Sequence, residues 1–209
     1  VLSLGRLHLI TDTRPGRDPL AVLRAALPVA GADLVVQVRV EDDATDREAY
    51  ELACRVTEAC RPYGAQCLVN DRLHVALAVD AAGGHVGADD LPVSAARRVL
   101  GPDAVLGATA RDPVSARTAV DAGASYLGVG PCHVTTTTKS GLPDPIGPEG
   151  IRAVAEAVSV PVIAIGGVTA ASVPALRAAG AYGVAVVGAL SLAADPAHAT
   201  AELLRALTC

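Results

Sequence analysis

The chain has 209 residues, half of them hydrophobic (51%) yet with no Phe, Trp or Met, and a formal net charge of −5. That length suits one well-buried domain, and an acidic balance with no Lys/Arg cluster speaks against nucleic acid and anionic membrane partners, leaving small molecules. No apolar run reaches the roughly 18 residues of a membrane span, and the start at Val1 does not read as a signal peptide. The expectation is therefore a cytoplasmic protein with one domain over 1–209 and a short tail at 1–5.

Short β-rich runs alternate with Ala/Leu/Arg segments of helical period, which predicts repeated βα units around a parallel sheet. The first strand falls at 7–10 and ends in Thr11-Asp12-Thr13; its helix spans 19–30. The second strand, 34–38, delivers Gln37 and Arg39 ahead of a helix at 46–61, and the third, 67–69, delivers Asn70 and Asp71 ahead of a helix at 72–79. A fourth strand at 85–87 leads to Asp89 and Asp90, a fifth at 104–107 to Thr109, with helices at 93–100 and 113–122. The sixth strand, 126–129, opens into Gly130 to Gly147, too long for an ordinary βα turn and rich in Thr, Gly and Pro, before a helix at 148–158. Strands at 162–165 and 183–187 precede Gly166-Gly167 and Gly188, with helices at 171–179 and 196–207. Eight such units make a single (β/α)₈ barrel of the TIM type the expected fold, preferred over an open doubly wound sheet because no Gly-rich fingerprint follows the first strand.

In such a barrel the active site lies at the C-terminal ends of the strands, and there this sequence places a polar ring. Asp71 reads equally well as the cap of the following helix or as a metal ligand. With Asp90 at the neighbouring strand's end, and Asp89 its competitor, two carboxylates plus substrate phosphate oxygens would suit Mg²⁺. The glycines after the seventh and eighth strands suit a phosphate, because they expose backbone N–H groups. Of 17 basic residues 16 are Arg and only Lys139 is Lys, which suggests a compact point charge is wanted there. Cys54, Cys60, Cys67, Cys132 and Cys209 lack Cys-x-x-Cys spacing and read as inert thiols. The layout is that of a site for two anions, a phosphorylated acceptor and a diphosphate-activated donor.

These residues carry a resemblance. Leu68-Val69-Asn70-Asp71-Arg72, His85-Val86-Gly87 with Asp90, Tyr126-Leu127-Gly128-Val129-Gly130-Pro131, Thr136-Thr137-Thr138-Lys139, Ile165-Gly166-Gly167-Val168 and Val186-Val187-Gly188-Ala189 resemble, in order, the motifs of the thiamine phosphate synthase family, over about 7–207. The resemblance implies a transferase that couples a hydroxymethylpyrimidine diphosphate to a thiazole phosphate with loss of pyrophosphate, using Mg²⁺. It implies that Gln37, Arg39, Asn70, Thr109 and Lys139 contact the pyrimidine diphosphate, with Arg39, Lys139 and Thr109 acting in catalysis. Asp71 and Asp90 would hold the metal, and Thr136, Thr138, Gly167, Val187 and Gly188 the thiazole phosphate, with Thr137 also among the substrate-binding residues.

The sequence departs from the family's pattern in places. The second-strand pattern Gln-x-Arg-x-Lys reads Gln37-Val38-Arg39-Val40-Glu41, so a carboxylate replaces a cation; either Glu41 turns to solvent or the site relies more on Arg39, Lys139 and the metal. Thr109 stands where serine is usual, Ala88 where glutamine is common, and Gly188 where serine often donates a hydroxyl. The rival readings are a thiazole tautomerase using His133 for proton transfer and a non-catalytic sensor of a phosphorylated thiazole or pyrimidine. Homo-oligomerisation stays open.

Overall fold

The computed structural model describes residues 4–135 and 142–208. Eight parallel strands, β1 (Leu7–Ile10), β2 (Leu34–Val38), β3 (Gln66–Asn70), β4 (Gly83–Val86), β5 (Val105–Ala110), β6 (Tyr126–Val129), β7 (Val162–Ile165) and β8 (Gly183–Val186), close in sequence order into a barrel. Around it run α1 (Pro19–Ala30), α2 (Asp46–Cys60), α3 (Leu73–Ala78), α4 (Val93–Leu100), α5 (Pro113–Asp121), α6 (Gly147–Ala155), α7 (Val173–Ala178), the four-residue α8 (Gly188–Ser191) and α9 (Pro196–Thr208). None of these helices is long and apolar enough to cross a membrane.

Helix starts follow local chemistry. Asp18 accepts from the backbone N–H of Leu20 and Ala21 and is followed by Pro19 at the first helical position. Thr45 and Glu48 form a capping box on α2, and Asp112 and Ser115 another on α5. The expected strands are all present, with shifted edges. β4 begins at Gly83, two residues before the predicted start, and β5 runs on to Ala110, so that Thr109 lies inside the strand rather than after it.

Alternation along each strand sorts side chains into two cores. Leu7, Leu9, Val36, Val69, Leu106, Leu127 and Val184 face outward into one cluster with the helices. Ile10, Val35, Leu68, Val105, Tyr126, Ile163 and Ala185 pack against one another inside the barrel. The interior is small because the chain has no Phe, Trp or Met. Tyr126 is the large ring fully buried within it, 1% exposed. Gly107 and Gly128 make room for it: a Cβ at Gly107 would strike the Tyr126 ring and His85, and one at Gly128 would stand 3.1 Å from His85 Cε1. At the N-terminal rim Arg97 donates to the carbonyls of Gly101, Ala104 and Gly123, and Arg177 to those of Ala181 and Tyr182. These bonds staple the turns on the face that serves stability rather than chemistry.

Candidate functional site

Strand alternation carries four of the predicted residues to one place. Continuing the inward parity of the interior cluster toward the C-terminal mouth gives Gln37 and Arg39 on β2 and beyond, Asn70 on β3 and Thr109 on β5, while Gly167 and Val187 come in the turns after β7 and β8 at the same end. Gln37 and Arg39 are buried, while Thr109 opens to the mouth.

Arg39 is engaged on both sides. Its backbone N–H donates to Thr11 Oγ1 at 2.8 Å and its carbonyl accepts from the same hydroxyl at 2.6 Å, locking β2 to the end of β1. Its guanidinium meets Glu41 Oε1 at 3.3 Å and Asp42 Oδ1 at 3.8 Å. Glu41 therefore does not turn away to solvent; it occupies part of the Arg39 guanidinium.

The sequence reading passed over Asp12 as a site residue. Its side chain is 1% exposed, held by the Arg14 fork at 2.8 and 2.7 Å, and it accepts from Ser191 Oγ at 2.7 Å. The carboxylate thus ties the loop after β1 to α8, the turn that begins at Val187 and Gly188. Hydrogen bonds from Arg14 and then Ser191 outweigh burial and lower its pKa from 3.8 to about 2. A folded-state pKa below the unfolded one stabilises above pH 3.8 and loses that contribution as pH falls through about 2. Asp12→Asn is expected to cost about 2 kcal/mol at neutral pH. Denaturant titrations at several pH values would show the wild-type and variant curves converging in strong acid; a gap that persists there would contradict the assignment.

Beneath the mouth lies a hydrogen-bonded column. Gln37 Nε2 donates to Tyr126 Oη at 3.4 Å, Tyr126 Oη lies 3.1 Å from His85 Nδ1, and His85 Nε2 lies 3.1 Å from Thr109 Oγ1. The His8 ring meets Tyr126 edge-on at 5.3 Å, its Nε2 bonded to the Gly5 carbonyl, and burial pushes its pKa down to about 3. Tyr126 and His8 were missed as functional candidates. The available signal was polar groups at inward parity in otherwise apolar strands.

For the carboxylate pair, α3 starts at Leu73, one residue later than expected, so its N-cap position is Arg72 and not Asp71. Asp71 instead sits at φ 59°, a left-handed conformation rare outside glycine, with its N–H bonded to the His85 carbonyl at 2.9 Å. Such backbone costs on the order of 1–3 kcal/mol and is concentrated at functional sites. Asp90 folds back to accept from the Gly87 N–H at 2.7 Å, an approach that a Cβ at Gly87 would obstruct. Among the described residues no group of three or more His, Cys, Asp or Glu could form an all-protein cage. Two carboxylates that follow adjacent strands, Asp71 after β3 and Asp90 after β4, offer the hard oxygen chemistry that a divalent cation such as Mg²⁺ takes.

The long loop after β6 is fixed at its base. Cys132 and His133 donate to the Ile165 and Gly166 carbonyls at 2.8 and 3.0 Å, and Ile146 and Gly147 return to the carbonyls of Pro131 and Cys132. Arg111 staples the two ends, donating to the carbonyls of Gly130 and Asp144. Gly166 and Gly167 take φ of 92° and 64°, and a Cβ on Gly167 would meet His133 Cβ at 2.8 Å, so loop and turn pack backbone to backbone. His133 Nε2 is buried without a hydrogen-bond partner. Thr136, Thr137, Thr138 and Lys139 lie outside the described residues.

Comparison with known proteins places this arrangement. Residues 7–190 match the family model described as thiamine monophosphate synthase. Over 207 residues, 99% of each chain, the sequence is 75% identical to a thiamine-phosphate synthase of Salinispora arenicola. It is 74% identical over 206 residues to that of Salinispora tropica, again across 99% of each chain. A solved thiamine phosphate pyrophosphorylase from Pyrococcus furiosus superposes with a TM-score of 0.86 at 34% identity, over 97% of this chain and 95% of that one.

Proposed function

The chain belongs to the thiamine monophosphate synthase family, and on that premise we propose that its barrel mouth joins an aminopyrimidine carrying a hydroxymethyl diphosphate to a hydroxyethylthiazole phosphate. The enzyme is a transferase of thiamine biosynthesis. The bond from the pyrimidine's exocyclic carbon to the diphosphate oxygen breaks, pyrophosphate leaves with the electron pair, and the thiazole nitrogen supplies the pair for the new C–N bond. The aminopyrimidine ring delocalises the positive charge in between. The attacking nitrogen carries no proton, so the step needs no general base.

The observation that supports this reading best is the convergence of Gln37, Arg39, Asn70 and Thr109 at inward parity on one end of the barrel, beside Asp71 and Asp90. Gln37, Asn70 and Thr109 orient the donor, and Arg39 and Lys139 meet the charge developing on the leaving group. Asp71 and Asp90 would hold Mg²⁺, which supplies positive charge against the diphosphate oxygens when bound. Gly167, Val187 and Gly188, with Thr136, Thr137 and Thr138, take the acceptor phosphate, and the Asp12–Ser191 bond holds α8 in place for it.

The test supplies both phosphorylated halves with Mg²⁺ and follows pyrophosphate and thiamine phosphate. Product that requires both halves and metal supports the assignment. His133, whose Cβ lies against Gly167 and whose Nε2 finds no hydrogen-bond partner among the described residues, keeps proton transfer on the thiazole as a second reading. Isomerised thiazole without donor or metal would favour it, and binding without turnover would favour a sensor.

A further inference from the structure

On the reading of Asp71 as a metal ligand, we propose that Arg72 is a positioning residue: its guanidinium clamps the strained turn that carries Asp71 to the cap of α2 and so fixes where that turn lies.

Two successive tight turns join β3 to α3. The Arg72 N–H donates to the Asn70 carbonyl at 2.6 Å across Asp71, whose φ is 59°. A bond from one residue to the second before it, closed around a residue of positive φ, is the rare and strained form of the γ-turn. The Leu73 N–H then donates to the Asp71 carbonyl at 3.0 Å across Arg72, at φ −83° and ψ 69°, which is the common inverse form. An L-residue stays in the left-handed region where its surroundings over-determine it.

Asp71 is held from both sides. On one side its N–H bonds to the His85 carbonyl at 2.9 Å, which carries the β3–β4 ladder one residue past the pairing of Asn70 with His85. On the other, the Arg72 fork reaches across to the segment after β2, donating to Asp46 Oδ1 at 2.7 Å and to the Ala44 carbonyl at 2.5 Å. These two acceptors flank Thr45, the N-cap of α2, whose capping box with Glu48 makes the anchor rigid. The second Asp46 oxygen lies 3.1 Å from His74 Nε2, so the first turn of α3 meets the same carboxylate.

The Asp46 side chain is 66% exposed, and an ion pair so open to water adds little to stability. What the fork supplies is location, because its planar donors meet two acceptors at fixed separation. Ala44 in turn donates its N–H to the Glu41 carbonyl at 3.1 Å, and Glu41 and Asp42 are the partners of the Arg39 guanidinium. Arg72 thus ties the Asp71 turn to the segment that engages Arg39.

Arg72→Ala removes both arms of the clamp and leaves the Asp71 carboxylate in the chain. The expected result is a Kd for Mn²⁺, read from its electron paramagnetic resonance signal with pyrophosphate present, raised about tenfold. The Mg²⁺ concentration for half-maximal activity should rise by about the same factor, with a KM for thiazole phosphate within about twofold of wild type. Arg72→Lys restores the charge without the fork and should stay nearer the alanine variant than wild type. Asp46→Ala cuts one arm at an exposed position and should raise the Mn²⁺ Kd about threefold, with a melting temperature close to wild type. In an Asp71→Asn background Arg72→Ala should add little, as expected of one group that acts through another. Wild-type Mn²⁺ affinity in Arg72→Ala, full recovery in Arg72→Lys, or an equal further loss in the Asp71→Asn background would overturn the proposal. Unchanged Mn²⁺ affinity in Asp71→Asn alone would instead overturn the reading of Asp71, and the proposal with it.

Discussion

Lys139→Ala is expected to lower kcat by about 10²–10³ while leaving the KM for thiazole phosphate within about twofold. The reason lies in the carboxylates and carbonyls that already engage several arginines among the described residues. Arg39 meets Glu41 and Asp42. Arg14 is gripped by Asp12 in a two-pronged pair, with Arg17 3.8 Å from the same carboxylate. Arg111 donates to two backbone carbonyls at the base of the long loop, and Arg72 pairs with Asp46. A departing pyrophosphate gathers negative charge as the C–O bond breaks, so a cation that meets it there acts on the transition state more than on either ground state. Lys139 is the chain's sole lysine and falls, in sequence, between β6 and α6. Steady-state kinetics with each substrate varied in turn make the check. Unchanged turnover would remove Lys139 from the leaving-group site, and a raised thiazole phosphate KM with normal kcat would move it to the acceptor.

The same charges explain what the substitution of Glu41 for a family lysine does. The sequence offered two outcomes, a carboxylate turned to solvent or a site leaning on its remaining cations. The geometry decides against the first: the Glu41 side chain, 33% exposed, pairs with Arg39, and on the proposed reading more of the anion stabilisation then falls to Lys139 and a metal. That pairing could not be read from spacing, because residues 39 and 41 share a parity only as long as the extended backbone continues past Val38.

Much of the architecture was legible because parallel strands buried on both faces read as apolar runs. Edges were less so. Gly83-Gly84 has no β-forming side chain, yet β4 needs those glycines where the strand crowds Leu73 and the Val105 backbone. The candidate site residues at the strand ends were proposed from position alone. Tyr126 and His8 were not, since a lone aromatic in an apolar strand is commonest as core. Only the pairing with Gly107 and Gly128 reveals a polar column instead of a plain packing element. Asp12 escaped for a related reason: its partners Arg14 and Ser191 are 2 and 179 residues away, and the second distance has no signature in a single sequence.

Asp71→Asn is expected to lower activity by about 10- to 100-fold at modest Mg²⁺ and to recover part of it as Mg²⁺ is raised. Asparagine preserves the side chain's shape and tolerates the left-handed region at least as well as aspartate. The φ of 59° at this position therefore survives the change, and with it the bond from the Asp71 N–H to the His85 carbonyl. What is lost is one negative charge at the end of β3, opposite Asp90 at the end of β4. The N-cap position of α3 is Arg72, which the change leaves alone. A purely structural Asp71 would change the melting temperature and leave the metal dependence alone. A metal ligand does the reverse: thermal stability without metal stays close to wild type while the Mg²⁺ concentration for half-maximal activity rises. An unchanged metal requirement would sink the assignment of Asp71, and with it the idea that the strain held at this turn serves to aim a carboxylate at the diphosphate's counter-ion.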